Sequence, residues 1–177
     1  IKQFSPDMGL VGEFVTSLTD ITGLALSSAG IVFLADDEDD TIWTGGVPTG
    51  LTTDPLDIAY DGTYLWVLVN GAIYDRILKL NATTGALVTQ FNAPDNQGGG
   101  LTYLDGNLFY ASRPGGSPVK ITVIDPSDGT VDDKFDAAQS CCPDINNDVT
   151  SLSDNGTDLV LAVSGDSTLY VISADDG

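Results

Sequence analysis

Leu56-Asp-Ile-Ala-Tyr-Asp-Gly-Thr-Tyr-Leu-Trp-Val67 reads as an apolar strand, a turn closed by glycine, and a second apolar strand. The same parts return in Leu101-Thr-Tyr-Leu-Asp-Gly-Asn-Leu-Phe-Tyr-Ala111, and more faintly in 21–35 and 149–162. A second half-unit follows each hairpin. Ile77-Leu-Lys-Leu-Asn-Ala-Thr-Thr-Gly-Ala-Leu-Val-Thr-Gln-Phe91 matches Val123-Ile-Asp-Pro-Ser-Asp-Gly-Thr-Val-Asp-Asp-Lys-Phe135: a strand, a polar turn ending in glycine, and a more polar strand ending in Phe. Four strands in a unit of about 42 residues is the spacing of a β-propeller blade.

Strand chemistry favours the same architecture. Tyr64-Leu-Trp-Val-Leu-Val69 and Ile31-Val-Phe-Leu-Ala35 are apolar at both parities, so both faces of these strands need cover. Stacking each blade between two neighbours supplies it, and burial of Trp66 and Phe33 is the expected sign. No long window has helical periodicity. The expectation is an all-β propeller of four-stranded antiparallel blades, about four in this segment, within a larger propeller. Residues 1–19 end a preceding blade; 20–54, 55–95 and 96–140 are blades; 141–177 is a last, incomplete one. A closed four-bladed ring, with Leu10–Phe14 completing the last blade, is the alternative.

With 26 acids against 6 bases in 177 residues, the net charge is −20. Nucleic acid is excluded as a partner, since phosphate binding needs clustered Lys and Arg. No apolar run approaches membrane-spanning length, so no membrane insertion is expected. Nearly all the acids are Asp, many in turn settings where the side chain bonds nearby backbone N–H groups. The remaining excess suits cation-rich, extracellular surroundings.

Histidine is absent, which removes Ser-His-Asp and Cys-His catalysis and His-ligated metals from this segment. Asp36-Asp-Glu-Asp-Asp40 is the densest charge run; Asp36, Glu38 and Asp40 could face a Ca²⁺ ion, or the run is a solvated turn. Asp144, Asn146 and Asp148 have the alternate spacing of a calcium loop, without its usual glycine or twelfth-position acid. Asn81-Ala-Thr83 and Asn155-Gly-Thr157 are N-glycosylation sequons in expected surface turns. Cys141 and Cys142 are adjacent: a strained vicinal disulfide, bonds to other chain segments, or plain thiols. Asp57 falls on an innermost strand, with Asp20 and Asp148 at related positions. It is the candidate catalytic carboxylate if the propeller is a hydrolase.

The stretch Gly23–Asp36 with Thr41-Ile-Trp43, Asp57–Val67 and Val123–Gly129 resemble NHL-type blades, and the YVTN-type surface-layer propellers are similar. The marks of WD repeats are missing. The resemblance implies a propeller; related six-bladed lactonases hold a metal in the central channel, but no complete ligand set matches here. The functional expectation is a non-enzymatic extracellular or cell-surface module for protein or glycan binding, adhesion or assembly, Ca²⁺ being the one cofactor expected. Its partners are protein or glycan ligands, further blades, or copies of itself. The alternative is a lactonase- or glycosidase-like hydrolase or lyase with carboxylates lining the channel.

Overall fold

The computed structural model describes residues 2–4, 10–13, 18–45, 47–116, 118–136, 148–164 and 168–174. Strands β1 (Lys2–Phe4) and β2 (Leu10–Glu13) form a small hairpin. Blade 1 contains β3 (Ile21–Leu26), β4 (Val32–Asp36), β5 (Thr41–Thr44) and β6 (Val47–Thr52). Blade 2 contains β7 (Pro55–Tyr60), β8 (Tyr64–Val69), β9 (Arg76–Asn81) and β10 (Leu87–Asn92). Blade 3 contains β11 (Gly98–Leu104), β12 (Asn107–Ser112), β13 (Lys120–Ile124) and β14 (Val131–Asp136). Blade 4 is described as β15 (Val149–Asp154), β16 (Asp158–Val163) and β17 (Leu169–Ser173). Among the described residues every pairing is antiparallel between consecutive strands, and the fold is an all-β propeller of four blades.

Strand β8 shows why the blades stack. Leu65, Val67 and Val69 pack with Phe33, Ala35 and Ile42 of blade 1. Trp66 and Leu68, pointing the other way, pack with Leu101, Leu108 and Tyr110 of blade 3. Blade 3 repeats the arrangement, burying Phe109, Ala111 and Ile121 against Leu152, Leu159 and Leu161 of blade 4. Phe33 is 2% exposed and Trp66 is fully buried. Burying such side chains contributes about 1.5–3 kcal/mol each, which makes the interblade layers the main source of stability. Outer strand β10 is solvent-facing along nearly its whole length, consistent with its mixed sequence. At the two terminal blades the outward faces stay partly open, with Leu24, Leu26, Leu169 and Val171 exposed.

The turns are built from Asp and Asn. Asp61 Oδ1 accepts the Thr63 and Tyr64 N–H groups, and its Oδ2 accepts from the Trp66 indole at 2.8 Å. One carboxylate therefore closes the β7–β8 turn and satisfies a fully buried aromatic side chain. Asp61→Ala should lower stability by about 2 kcal/mol, the cost of a lost charge-assisted bond and an indole N–H left without an acceptor. Urea unfolding at unchanged slope, with the midpoint shifted down, checks this.

Each innermost strand carries one irregularity at the same level. The register breaks between Ile21 and Gly23, Pro55 and Asp57, Gly98 and Gly100, and Val149 and Ser151. A bulge disrupts the ladder and re-aims the following backbone groups. Gly23, Asp57, Gly100 and Ser151 are thus equivalent positions grouped about the axis. Successive inner strands pack closely there, whereas β15 and β3 only touch.

Candidate functional site

Of those four axial positions, only Asp57 carries a long side chain, and the residue is 2% exposed. Oδ1 accepts from its neighbour Ile58 N at 2.9 Å. Oδ2 accepts Leu101 N of β11 at 2.9 Å and Leu152 N of β15 at 3.2 Å, with the Ser151 hydroxyl at 3.4 Å. Desolvation pushes the Asp57 carboxyl up to about 7, against the pull of these donors toward the ionised form. The side chain ties blade 2 to blades 3 and 4 and plugs the axis at this level.

Toward the hairpin-turn end, residues of all four inner strands line a hollow of about 260 Å³. Its walls include Leu24, Tyr60, Thr102, Tyr103, Ser151 and Asp154. Thr102 donates to Asp154 Oδ2 at 3.0 Å, bridging blades 3 and 4, and Tyr60 donates to the Gly62 carbonyl at 2.7 Å. Tyr103 also walls a second hollow of about 310 Å³ between blades 2 and 3, with Tyr64, Trp66 and Lys79. The Lys79 ammonium lies 4.2 Å from the Tyr64 ring centroid and 4.6 Å from that of Trp66, a cation–π arrangement. The two hollows offer aromatic surface beside hydroxyl and carboxylate groups, a combination suited to binding.

The opposite end is acidic. Asp20, Asp54 and Asp148 each sit one residue before an inner strand, and Gln97 takes the fourth place. Asp37 is pushed up to about 6, chiefly by its hydrogen bond with the Asp54 carboxyl, then by burial and the negative charge of Asp54, Asp20 and Asp40. Nearby Asp75 is also raised, by burial; it accepts Gly98 N at 2.9 Å and so links blades 2 and 3. Asp148 pairs with Arg113 at 3.2 Å.

Asp36, Glu38 and Asp40 occupy the β4–β5 turn but point to different tasks. Asp36 is buried, and its Oδ1 accepts the Glu38 and Asp39 N–H groups at 3.2 and 3.3 Å. Its Oδ2 is buried with no hydrogen-bond partner among the described residues. Glu38 accepts from the Thr19 hydroxyl, and Asp40 is exposed in a left-handed conformation with φ 51°. Among the described residues, no three acid, His or Cys side chains gather at metal-holding distances. Asp144, Asn146, Cys141 and Cys142 lie outside the described residues. Asn81 and Asn155 both cap turns through Oδ1: Asn81 accepts from Thr83 N and Thr84 N, Asn155 from Thr157 N and Asp158 N.

Sequence reasoning placed Asp57 on an inner strand but not its burial or its partners. It passed over Thr102, Tyr103 and Asp154, whose meeting depends on the packing of blades far apart in the chain. The small residues Gly23 and Gly100, each preceding an inner-strand apolar run, were the legible signal of an axial contact.

The sequence matches no protein-family model, and no curated protein matches it closely enough to count as a relative. Solved structures share the fold. Glutaminyl cyclase from Myxococcus xanthus superposes with a TM-score of 0.66 at 14% identity, over 91% of this chain and 71% of that one. The WD40 repeats of RRP9 give 0.62 at 20% identity, over 89% of this chain and 49% of theirs. Virginiamycin B lyase from Staphylococcus aureus gives 0.59 at 16% identity, over 98% of this chain and 62% of the lyase. The chain therefore spans about half to two thirds of the last two. These likenesses establish a propeller shared by enzymes and repeat proteins alike, and nothing finer.

Proposed function

We propose that this chain is a non-enzymatic binding module of an extracellular or cell-surface protein, taking a neutral glycan across the turn end of the propeller. The observation that carries this reading is Tyr103, which stands between two hollows lined by Tyr60, Thr102 and Asp154 on one side and Tyr64 and Lys79 on the other. Aromatic faces pack on the C–H faces of sugars while Ser, Thr and Asp side chains bond hydroxyls, so extended shallow sites of this composition suit hydroxyl-rich ligands. The net charge of −20 disfavours acidic polysaccharides.

Asp57 as a catalytic acid fits poorly with this geometry, because its oxygens are engaged by backbone donors and shielded from any ligand. A general acid or base has to come within hydrogen-bond reach of the reacting group. The exposed Leu24, Leu26, Leu169 and Val171 support the assembly part of the reading, since interblade faces of this kind are buried elsewhere in the molecule. The alternate oxygen side chains of Asp144, Asn146 and Asp148 suit Ca²⁺ as a stabilising ion, and equal-ionic-strength titrations of CaCl₂ and NaCl followed by melting temperature test it.

Titration of neutral oligosaccharides, monitored by Trp66 fluorescence and calorimetry, tests the main proposal. Tyr103→Ala should weaken binding at least about tenfold, the scale of one lost aromatic stacking contact. Absence of heat across a broad neutral panel, or equal affinity in Tyr103→Ala, would overturn the glycan assignment.

A further inference from the structure

We infer that the bulged inner strands build an axial receptor for a small carboxylate, and that the Asp57 side chain is its tethered occupant. The donors are Ile58, Leu101 and Leu152, each the residue that follows an equivalent bulge position, together with the Ser151 hydroxyl. They come from three different blades, so the receptor exists only once those blades have met. Its recognition elements are backbone N–H groups, which form anion-binding concavities without any cationic side chain.

The space fits a single carboxylate. The four equivalent positions hold one acid and three small residues: Gly23, Gly100 and Ser151. A β-carbon on Gly23 would stand 2.9 Å from Asp57 Oδ1 and 2.8 Å from Ile58 N, and one on Gly100 would stand 2.7 Å from the Leu152 β-carbon. One side chain therefore fills the axis while its equivalents are kept short. Ser151 serves either ionisation state, since a hydroxyl donates to a carboxylate and accepts from a carboxylic acid. In the native protein the receptor is satisfied from within, which seals the axis below the 260 Å³ hollow.

Removing the tether should leave a receptor that takes formate or acetate. Asp57→Ala is expected to melt below the wild type and to be restored saturably by sodium formate, by roughly 3–6 °C over equimolar sodium chloride. Wild type and Asp57→Asn, whose axis is filled, should respond equally to both salts. Burial pushes the Asp57 carboxyl up at this site, and formate held by the same donors should likewise bind more tightly as pH falls from about 7 to about 5. If Asp57→Ala is recovered only unfolded, refolding in formate against chloride asks the same question; formate-dependent folding supports the receptor and its absence overturns it. In the wild type, the amide signals of Leu101 and Leu152 should shift together with the Asp57 titration. Formate acting on wild type and Asp57→Ala alike, or acting no better than chloride, would sink the inference. The outcome is independent of the glycan proposal, which concerns the outer hollows.

Discussion

Lowering the pH from about 8 to about 5 should make this protein more stable, by about 2.7 kcal/mol from Asp57 alone. The Asp57 carboxyl sits at about 7 in the folded chain, against an ordinary value of 3.8. Between those values the folded state holds a proton that the unfolded state has released. Stability is then gained as pH falls through the folded value and is complete below the unfolded one. Each unit of difference corresponds to about 1.4 kcal/mol, and full burial leaves little solvent screening to reduce it. The groups that face the carboxylate from neighbouring strands, Gly23 of β3, Leu101 of β11 and Ser151 and Leu152 of β15, carry no charge of their own. Asp37, raised to about 6 by Asp54 and its acidic neighbours, adds a smaller effect of the same sign, screened by solvent. Thermal or urea unfolding across this range checks the slope, and Asp57→Asn should flatten most of it. A profile that rises toward pH 8, or one unchanged in Asp57→Asn, would contradict the reading.

Gly99→Ala should be among the most damaging single substitutions, costing about 3 kcal/mol or more. A β-carbon at Gly99 would lie 2.0 Å from the Val149 carbonyl oxygen and 2.7 Å from its carbonyl carbon. Both are backbone atoms, so no side-chain rotation relieves the overlap; β15 would have to move away from β11. That movement loosens the blade 3–blade 4 layer of Leu152, Leu159 and Phe109 and stretches the Asp57 bond to Leu152 N. Overpacking in well-ordered interiors costs about 1–3 kcal/mol even where side chains can adjust. Chemical unfolding is the direct measurement. Hydrogen exchange should place the added openings in β15 and β16, with β7–β9 little changed. Equal protection across all four blades would show that the clash is absorbed elsewhere.

The glycines at 98–100 show how far local reading reaches. As sequence they read only as a run of glycines opening a strand. Their reason appears only when β11 is set against β15 and against Tyr110, whose hydroxyl donates to Asp95 and whose ring would collide with any side chain at Gly98. The Asp36–Asp40 run is the converse case: its alternate acids are legible in the sequence, but only the folded turn shows Asp36 accepting the Glu38 N–H and Glu38 accepting from the Thr19 hydroxyl.

The order of strands, the blade period and the need to cover both faces of β4 and β8 were set by the sequence itself, because side-chain alternation and turn chemistry act over a few residues. Which side chains meet on the axis was decided only by the tertiary structure. Asp57 finds Leu101 and Leu152 across separations of 44 and 95 residues. Contacts of that range depend on how blades pitch against one another, a property of packing that no short window encodes. The same physics joins Tyr103 to two hollows at once and seals the carboxylate that the strand pattern alone would leave facing a channel.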